Sequence, residues 1–250
     1  MNEIKTGTVL HYEKASPISF QQRNYSLSKL NRFSKRLFDI LFSLLVITFL
    51  LSWLLPIIAI LIKSGSRGPI LFIQKRTGQN GKTFNCLKLR TMIVNAQANH
   101  MQARNNDPRI TKIGKFLRLS CLDELPQFFN VLIGDMSIVG PRPHMISDCK
   151  EFAKVVKNYN SRNLVKPGIT GMAQVKGYRG ETNGYYDIFH RYKWDMFYVR
   201  NAGFRLDMRI IRLTISYTFN TIISKYLQKL RKEQTTTYLF EPLEAKEYLN

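Results

Sequence analysis

From Ile40 to Ile62 the chain carries no charged residue, a run of 23 positions. A helix needs about 20 predominantly apolar residues to cross the hydrocarbon core of a bilayer. A core helix of a soluble domain is rarely so long and so uniformly apolar, so the run points to a membrane-associated chain. The flanks narrow it further. Lys35 and Arg36 precede it, and Lys63, Arg67, Lys75 and Arg76 follow it, and basic flanks stay on the cytoplasmic side. With both ends cytoplasmic, residues 35–63 are expected to form a re-entrant helix broken near Pro56, whose ring removes a backbone donor and favours a kink. Ser43, Thr48 and Ser52 are available to satisfy the freed backbone groups. A straight span is the alternative. Residues 1–34 read as a polar arm, and no secretory signal is expected, because no small-residue cleavage site follows the apolar run.

Charge defines the next stretch. Lys and Arg number 38 against 17 Asp and Glu, a formal net charge of +21, which predicts a polyanionic partner: nucleic acid, anionic headgroups or phosphorylated substrates. The excess is concentrated between Lys63 and Ser120, where twelve bases face one acid, Asp107. Within it, residues 69–74 and the alternating 82–90 read as strands joined by the turn Thr77–Gly81, a hairpin. Residues 92–101 read as a helix, 105–108 as a loop, and 113–119 as a helix with its bases outward. The three cysteines, Cys86, Cys121 and Cys149, and four scattered histidines lack zinc-ligand spacing and suit free thiols in a reducing compartment.

Past this basic stretch, Ser120–Pro143 places Asp123 and Glu124 side by side. Two readings stand. Ser120-Cys-Leu-Asp123 fits a capping box, with Pro126 in the first helical turn, so that Asp123 serves only as a helix cap. Alternatively, a helix N-terminus keeps the pair ionised for chemistry. Neighbours on a helix diverge, so one carboxylate can attack while the other binds a hard cation such as Mg²⁺. Asp135 is a candidate further ligand. Arg142, between Pro141 and Pro143, is a candidate phosphate clamp.

These residues carry a resemblance. KRLFDI (35–40), GPILFIQKRTGQNGKTF (68–84), KLRTM (88–92), DPRITKIGKFLR (107–118), LDELPQFFNVLIGDMSIVGPRP (122–143), VKPGITGMAQVKGYRGET (165–182) and LDMRII (206–211) stand in the order found in the bacterial sugar transferases, the monotopic polyprenyl-phosphate hexose-1-phosphate transferases. The resemblance covers about seven-tenths of the chain and implies a helix-rich α/β membrane-associated catalytic domain with a re-entrant helix and interfacial amphipathic helices. It implies that Asp123 attacks the β-phosphate of a UDP-sugar, releasing UMP, and that undecaprenyl phosphate then takes the sugar phosphate. Such covalent catalysis splits one difficult transfer into two easier ones. Glu124 would bind Mg²⁺, and Arg118, Arg142, Lys88 and Arg90 match basic positions of the phosphate site. Gly-Tyr-Arg-Gly-Glu-Thr (177–182) and His144 after Gly-Pro-Arg are similar to the branch using UDP-glucose, with UDP-galactose or an N-acetylated UDP-sugar as alternatives. In that loop Gln174, Arg179 and Glu181 are candidates to contact sugar or uridine. The chain departs from the pattern at Met172, where relatives often carry Trp, and at Leu55 before Pro56, where Ser is common; residues 1–34 stand in place of a longer N-terminal part.

Tyr185–Phe197 reads as an aromatic-rich helix, with Trp194 and Tyr198 in the core or at headgroup level. Residues 205–230 repeat apolar and basic positions as an interfacial helix would, and 233–250 reads as a tail. The expected organisation is an arm (1–34), a re-entrant helix (35–63) and a cytoplasmic catalytic domain (64–232) on the inner face of a bacterial cytoplasmic membrane. Its expected partners are a UDP-sugar, undecaprenyl phosphate and anionic lipids, with a homodimer left open. A membrane-tethered nucleic-acid-binding protein would account for the charge but leaves the acidic pair and the Pro-Arg-Pro corner without a role. No helix-turn-helix or aromatic-interleaved platform supports it, so no nucleic acid is expected.

Overall fold

The computed structural model describes residues 29–94, 107–180, 182 and 184–239. Most of the N-terminal arm, most of the helix expected at 92–101 and the last residues of the tail lie outside these. Helix α1 (Lys29–Val46) passes through a π-helical turn at Ile47–Leu51 into α2 (Ser52–Gly65). Residues 32–65 form a helix long and apolar enough to cross a membrane, with a mean hydropathy of 2.8 over its 18-residue apolar window. The departure from α geometry lies one turn before Pro56, which itself sits inside α2. Side chains take up carbonyls there: Ser52 Oγ donates to Thr48 O at 2.6 Å and Trp53 Nε1 to Phe49 O at 2.8 Å.

One face of this segment is buried at Asp39, Ser43, Val46, Leu51, Ile58 and Ile62, at steps of three to seven residues. The other leaves Leu37, Leu41, Leu45, Phe49, Trp53, Ile57 and Ile60 bare, an apolar stripe too large for water alone. Both ends are bonded to the rest of the chain. At one end, Lys35 Nζ meets Asp207 at 2.6 Å and Val139 O at 3.2 Å. Arg36 donates to Val131 O and Leu132 O at 2.6 and 2.8 Å, and Asp39 accepts from Ser137 Oγ and Ile138 N, both at 3.1 Å. At the other end, Arg90 donates to Arg67 O and to Ser66 O, the latter at 2.8 Å.

The hairpin read from the sequence forms. Strand β1 (Leu71–Thr77) pairs antiparallel with β2 (Thr83–Leu89), Leu71 opposite Leu89 and Thr77 opposite Thr83. Asn80 and Gly81 take positive φ in the connection, the backbone a tight turn asks for. Helix α3 (Lys112–Ser120) begins where Thr111 Oγ1 accepts from Gly114 N at 3.0 Å. It ends at Cys121, which adopts the left-handed conformation (φ 61°). Residues 122–124 make a single 3₁₀ turn before α4 (Gln127–Ile133). A two-stranded parallel sheet pairs β3 (Ser137–Val139) with β4 (Gly168–Thr170). Here the backbones approach so closely that a Cβ on Gly140 would lie 2.3 Å from Lys166 O. Only glycine fits that crossing, and it directs the chain into Pro141-Arg-Pro143.

Helices α5 (Ile146–Val155), α6 (Met172–Val175) and α7 (Tyr185–Asn201) follow, and α8 (Phe204–Leu239) is the longest. It continues past residue 233 into the stretch expected as a tail. Val46, Leu51, Phe128, Val131, Met136, Ile138, Tyr198 and Ile210 form the main core, joining the membrane segment to α4, β3, α7 and α8. A second cluster, Phe152, Tyr159, Tyr192 and Met196, packs α5 on α7. A third, Ile58, Ile62, Leu89 and Leu117, seats α2 on β2 and α3. Beyond Ile210, α8 exposes Ile215, Phe219, Ile222, Ile223 and Leu227. Among the described residues the result is a helix-rich α/β fold with two small sheets and one long apolar helix.

Candidate active site

Asn130 in α4 ties the acidic pair to the hairpin: its Nδ2 donates to Asn85 O at 2.8 Å and its Oδ1 accepts from Leu87 N at 2.9 Å. The 3₁₀ turn carrying Asp123 and Glu124 is thereby held beside Lys88, the residue after Leu87 in β2. Lys88 Nζ lies 2.8 Å from Glu124 Oε1, and Arg142 grips the same carboxylate with both terminal nitrogens, at 2.6 and 3.2 Å. Both acids are buried, and both line a cavity of about 430 Å³ with Arg76, Lys88, Arg90, Arg118, Arg142, Arg179 and Arg191.

The two carboxylates differ in electrostatic state. Burial alone would push Glu124 up, but Arg142 and Lys88 outweigh it and hold the group well below the usual carboxylate range. Asp123 is pushed above its ordinary value, first by burial and then by the charge of Glu124; Lys88, Arg118 and Arg142 oppose this without reversing it. No hydrogen bond reaches the Asp123 carboxylate among the described residues. One acid is therefore a fixed, neutralised anion, and the other is unencumbered and more basic than a free aspartate.

The capping box is not formed. Ser120 is the last residue of α3, its Oγ donating to Phe116 O at 2.9 Å, and left-handed Cys121, not Ser120, stands at the start of the 3₁₀ turn that carries Asp123. The pair precedes α4 on a 3₁₀ turn, where burial raises Asp123 above its ordinary value while Arg142 and Lys88 keep Glu124 ionised.

Of the basic candidates, Lys88, Arg118, Arg142 and Arg179 come together at the cavity. Arg118 is exposed and makes a single long contact, 3.4 Å to Thr91 Oγ1. Arg90 lines the cavity too, but its terminal nitrogens bond the carbonyls that end α2. Its guanidinium thereby tethers the end of α2 at the edge of the cavity. Arg179 Nη2 sits 2.9 Å from Cys121 Sγ. It also lines a second cavity of about 80 Å³, which shares Glu124 with the first and includes Gln174. Gln174 Nε2 donates to Ile169 O at 3.1 Å, while its buried Oε1 has no partner. Asp135 is not brought to the site. Helix α4 carries it to the opposite end, where it acts on Lys166. Glu181 lies outside the described residues.

Other contacts at the site went unread in the sequence. The corner Arg142–His144 is held at three successive carbonyls. Arg162 Nη2 donates to Arg142 O at 2.6 Å, Arg76 Nη1 to Pro143 O at 2.9 Å, and Thr77 N to His144 O at 3.0 Å. His144 Nδ1 faces Tyr159 Oη at 2.7 Å. Burial, reinforced by Arg162, Arg191, Arg76 and Arg142, keeps that imidazole well below its ordinary value and so neutral. Arg162 is an isolated charge outside every quoted motif, with no local pattern to mark it, whereas Arg76 and His144 were marked for other reasons.

Among the described residues no group of three or more His, Cys, Asp or Glu forms a metal cluster. The donor set nonetheless suits Mg²⁺, a hard cation that takes one or two carboxylates and fills its shell with water and phosphate. Asp123 and Glu124 are the two carboxylates that would hold it.

Comparison with known proteins follows this geometry. The bacterial sugar transferase family model matches residues 30–221. The UDP-glucose:undecaprenyl-phosphate glucose-1-phosphate transferase of Klebsiella pneumoniae is 46% identical over 190 residues, covering 76% of this chain and 41% of that protein. An exopolysaccharide production protein of Rhizobium leguminosarum bv. phaseoli is 41% identical over 196 residues, 76% of this chain and 94% of the relative. The UDP-N-acetylgalactosamine-undecaprenyl-phosphate N-acetylgalactosaminephosphotransferase of Aeromonas hydrophila is 40% identical over 190 residues, 75% of this chain and 44% of that protein. The chain thus spans about two-fifths of the Klebsiella relative.

The elevated Asp123 has a kinetic consequence. Reaction through its carboxylate needs the deprotonated form, so activity should fall as pH drops through a value above the ordinary aspartate range near 4. A pH profile of initial rate should show that acid limb, and a limb at or below pH 4 would contradict the assignment.

Proposed function

The chain belongs to the bacterial sugar transferase family, and from that premise we propose that it transfers a hexose-1-phosphate, glucose-1-phosphate first among candidates, from a UDP-sugar to undecaprenyl phosphate. The observation that carries this reading is the divided acidic pair: Asp123 free of partners in a basic cavity, beside a Glu124 neutralised by Lys88 and Arg142. In the first step an Asp123 oxygen bonds to the β-phosphorus as the bond to the bridging oxygen breaks, and UMP leaves with that electron pair. In the second, a phosphate oxygen of undecaprenyl phosphate bonds to the same phosphorus and Asp123 is released as carboxylate. Arg142 and Arg118 steady the phosphates, and excess cationic charge favours the developing anionic transition state. Mg²⁺, held by Glu124 with Asp123 adjacent, would neutralise charge on the diphosphate when bound.

The relatives' names put glucose first and keep an N-acetylated donor as the alternative. Purified protein given Mg²⁺, undecaprenyl phosphate and a panel of UDP-sugars should release UMP fastest with UDP-glucose, and Asp123→Asn should lower that rate by at least about 10³-fold. No UMP from any donor would overturn the reading, and an active Asp123→Asn would remove the nucleophile.

The membrane segment is proposed to be re-entrant, entering and leaving on the cytoplasmic face of the inner membrane. Both ends of the helix are bonded to one domain, through Lys35 and Arg36 at one side and Arg90 at the other, which supports ends that share one aqueous phase. With Cys121→Ser as background, Ser34→Cys and Ser64→Cys should both react with an impermeant thiol reagent only after the cytoplasmic side is opened. Labelling of either one in intact cells would establish a span.

A further inference from the structure

Resting on the reading of Arg142 as a phosphate clamp, we propose that Arg162, with Asp195, is a positioning residue that sets Arg142 for the reaction. Arg162 lies on the 3₁₀ turn Tyr159–Leu164 and Asp195 on α7, and their side chains are each 1% exposed. Neither lines the cavity holding the acidic pair, so neither can touch a substrate there. Arg162 Nε donates to Asp195 Oδ2 at 2.8 Å, Nη2 reaches the same oxygen at 2.7 Å, and Nη2 also donates to Arg142 O at 2.6 Å. Its guanidinium carbon lies 5.5 Å from the Tyr159 ring centre, which closes a further side.

A buried ion pair is a poor source of stability, because desolvating both charges offsets most of their attraction and an apolar pair of similar volume is often as stable. What Arg162–Asp195 adds is a donor fixed in direction beneath one carbonyl. That carbonyl belongs to the residue whose side chain binds Glu124 with both terminal nitrogens. With Pro141 and Pro143 restricting φ on either side, pinning the Arg142 carbonyl fixes where its fork starts. A displacement of about 1 Å in such a group costs roughly 100-fold in rate. Lysine at 162 could pair with Asp195, but a single ammonium lacks the planar fork that serves Asp195 and Arg142 O together.

A double-mutant cycle separates this role from a merely structural one. Arg162→Lys should slow UMP release by about 10- to 100-fold when Arg142 is present, the range expected for sub-ångström to 1 Å misplacement. In an Arg142→Lys background, where no fork remains to be positioned, the same change should cost less than about 3-fold. Simple destabilisation would cost the same in both backgrounds, and that result overturns the proposal. Should Arg162→Lys fail to fold, judged by melting in detergent, the cycle is run with Asp195→Asn, which preserves volume and an acceptor for Nε; a smaller loss with the same non-additivity is expected, and additivity again overturns it. If the wild-type chain releases no UMP, the donor reading fails separately. The cycle is then read on binding of inorganic pyrophosphate, with affinity expected to fall on Arg162→Lys only when Arg142 is intact; an equal fall in both backgrounds would refute the positioning role.

Discussion

The apolar helix is fastened at both ends by cationic side chains that reach backbone carbonyls, and the remaining architecture depends on that arrangement. Arg36 binds the last carbonyls of α4, and Arg90 binds those just after α2. Helix C-termini leave carbonyls unsatisfied and carry partial negative charge, so an arginine satisfies bonding and dipole together. Because α4 follows the acidic pair and β2 carries Lys88, the same tethers that hold the helix also tie the acidic pair to its exposed apolar stripe. A substrate with a long apolar tail and an anionic head would meet both surfaces at once.

The cavity is governed by unequal division of charge. A uniformly basic pocket would trap diphosphates without turning them over, and two equivalent carboxylates would repel them. Here Arg142 and Lys88 neutralise Glu124, while Asp123 remains unpaired and is raised by burial. Beneath this layer lies a second set of contacts, in which Arg162, Arg76 and Thr77 secure three successive carbonyls of the corner. The geometry of Arg142 therefore originates in β1, α7 and a 3₁₀ turn far from it in sequence.

Much of this was legible in the residues themselves. The uncharged run, the alternating strands around Thr77–Gly81, and the helical spacing of 113–119 each follow from local periodicity, and each element forms. Failures came where one residue or one long-range contact decided the outcome. Cys121 turns left-handed without a glycine to announce it, so the capping box is not made. Arg90 and Arg118 look alike in a basic segment and both line the cavity, yet Arg90 is bonded to the carbonyls after α2 while Arg118 is exposed, a difference set by where α2 ends. Asp135 is near the pair in sequence, but an intervening helix carries it away. Arg162 and Asp195 lie 33 positions apart and meet only in the folded chain.

The central claim is that Asp123 becomes covalently loaded. Intact-mass measurement of the purified protein after incubation with UDP-glucose and Mg²⁺, without lipid acceptor, should reveal an increment of one hexose phosphate. Proteolytic mapping should place it on the peptide containing Asp123, and undecaprenyl phosphate should discharge it. UMP formation in step with lipid product but with no adduct, or an adduct retained in Asp123→Asn, would contradict the account.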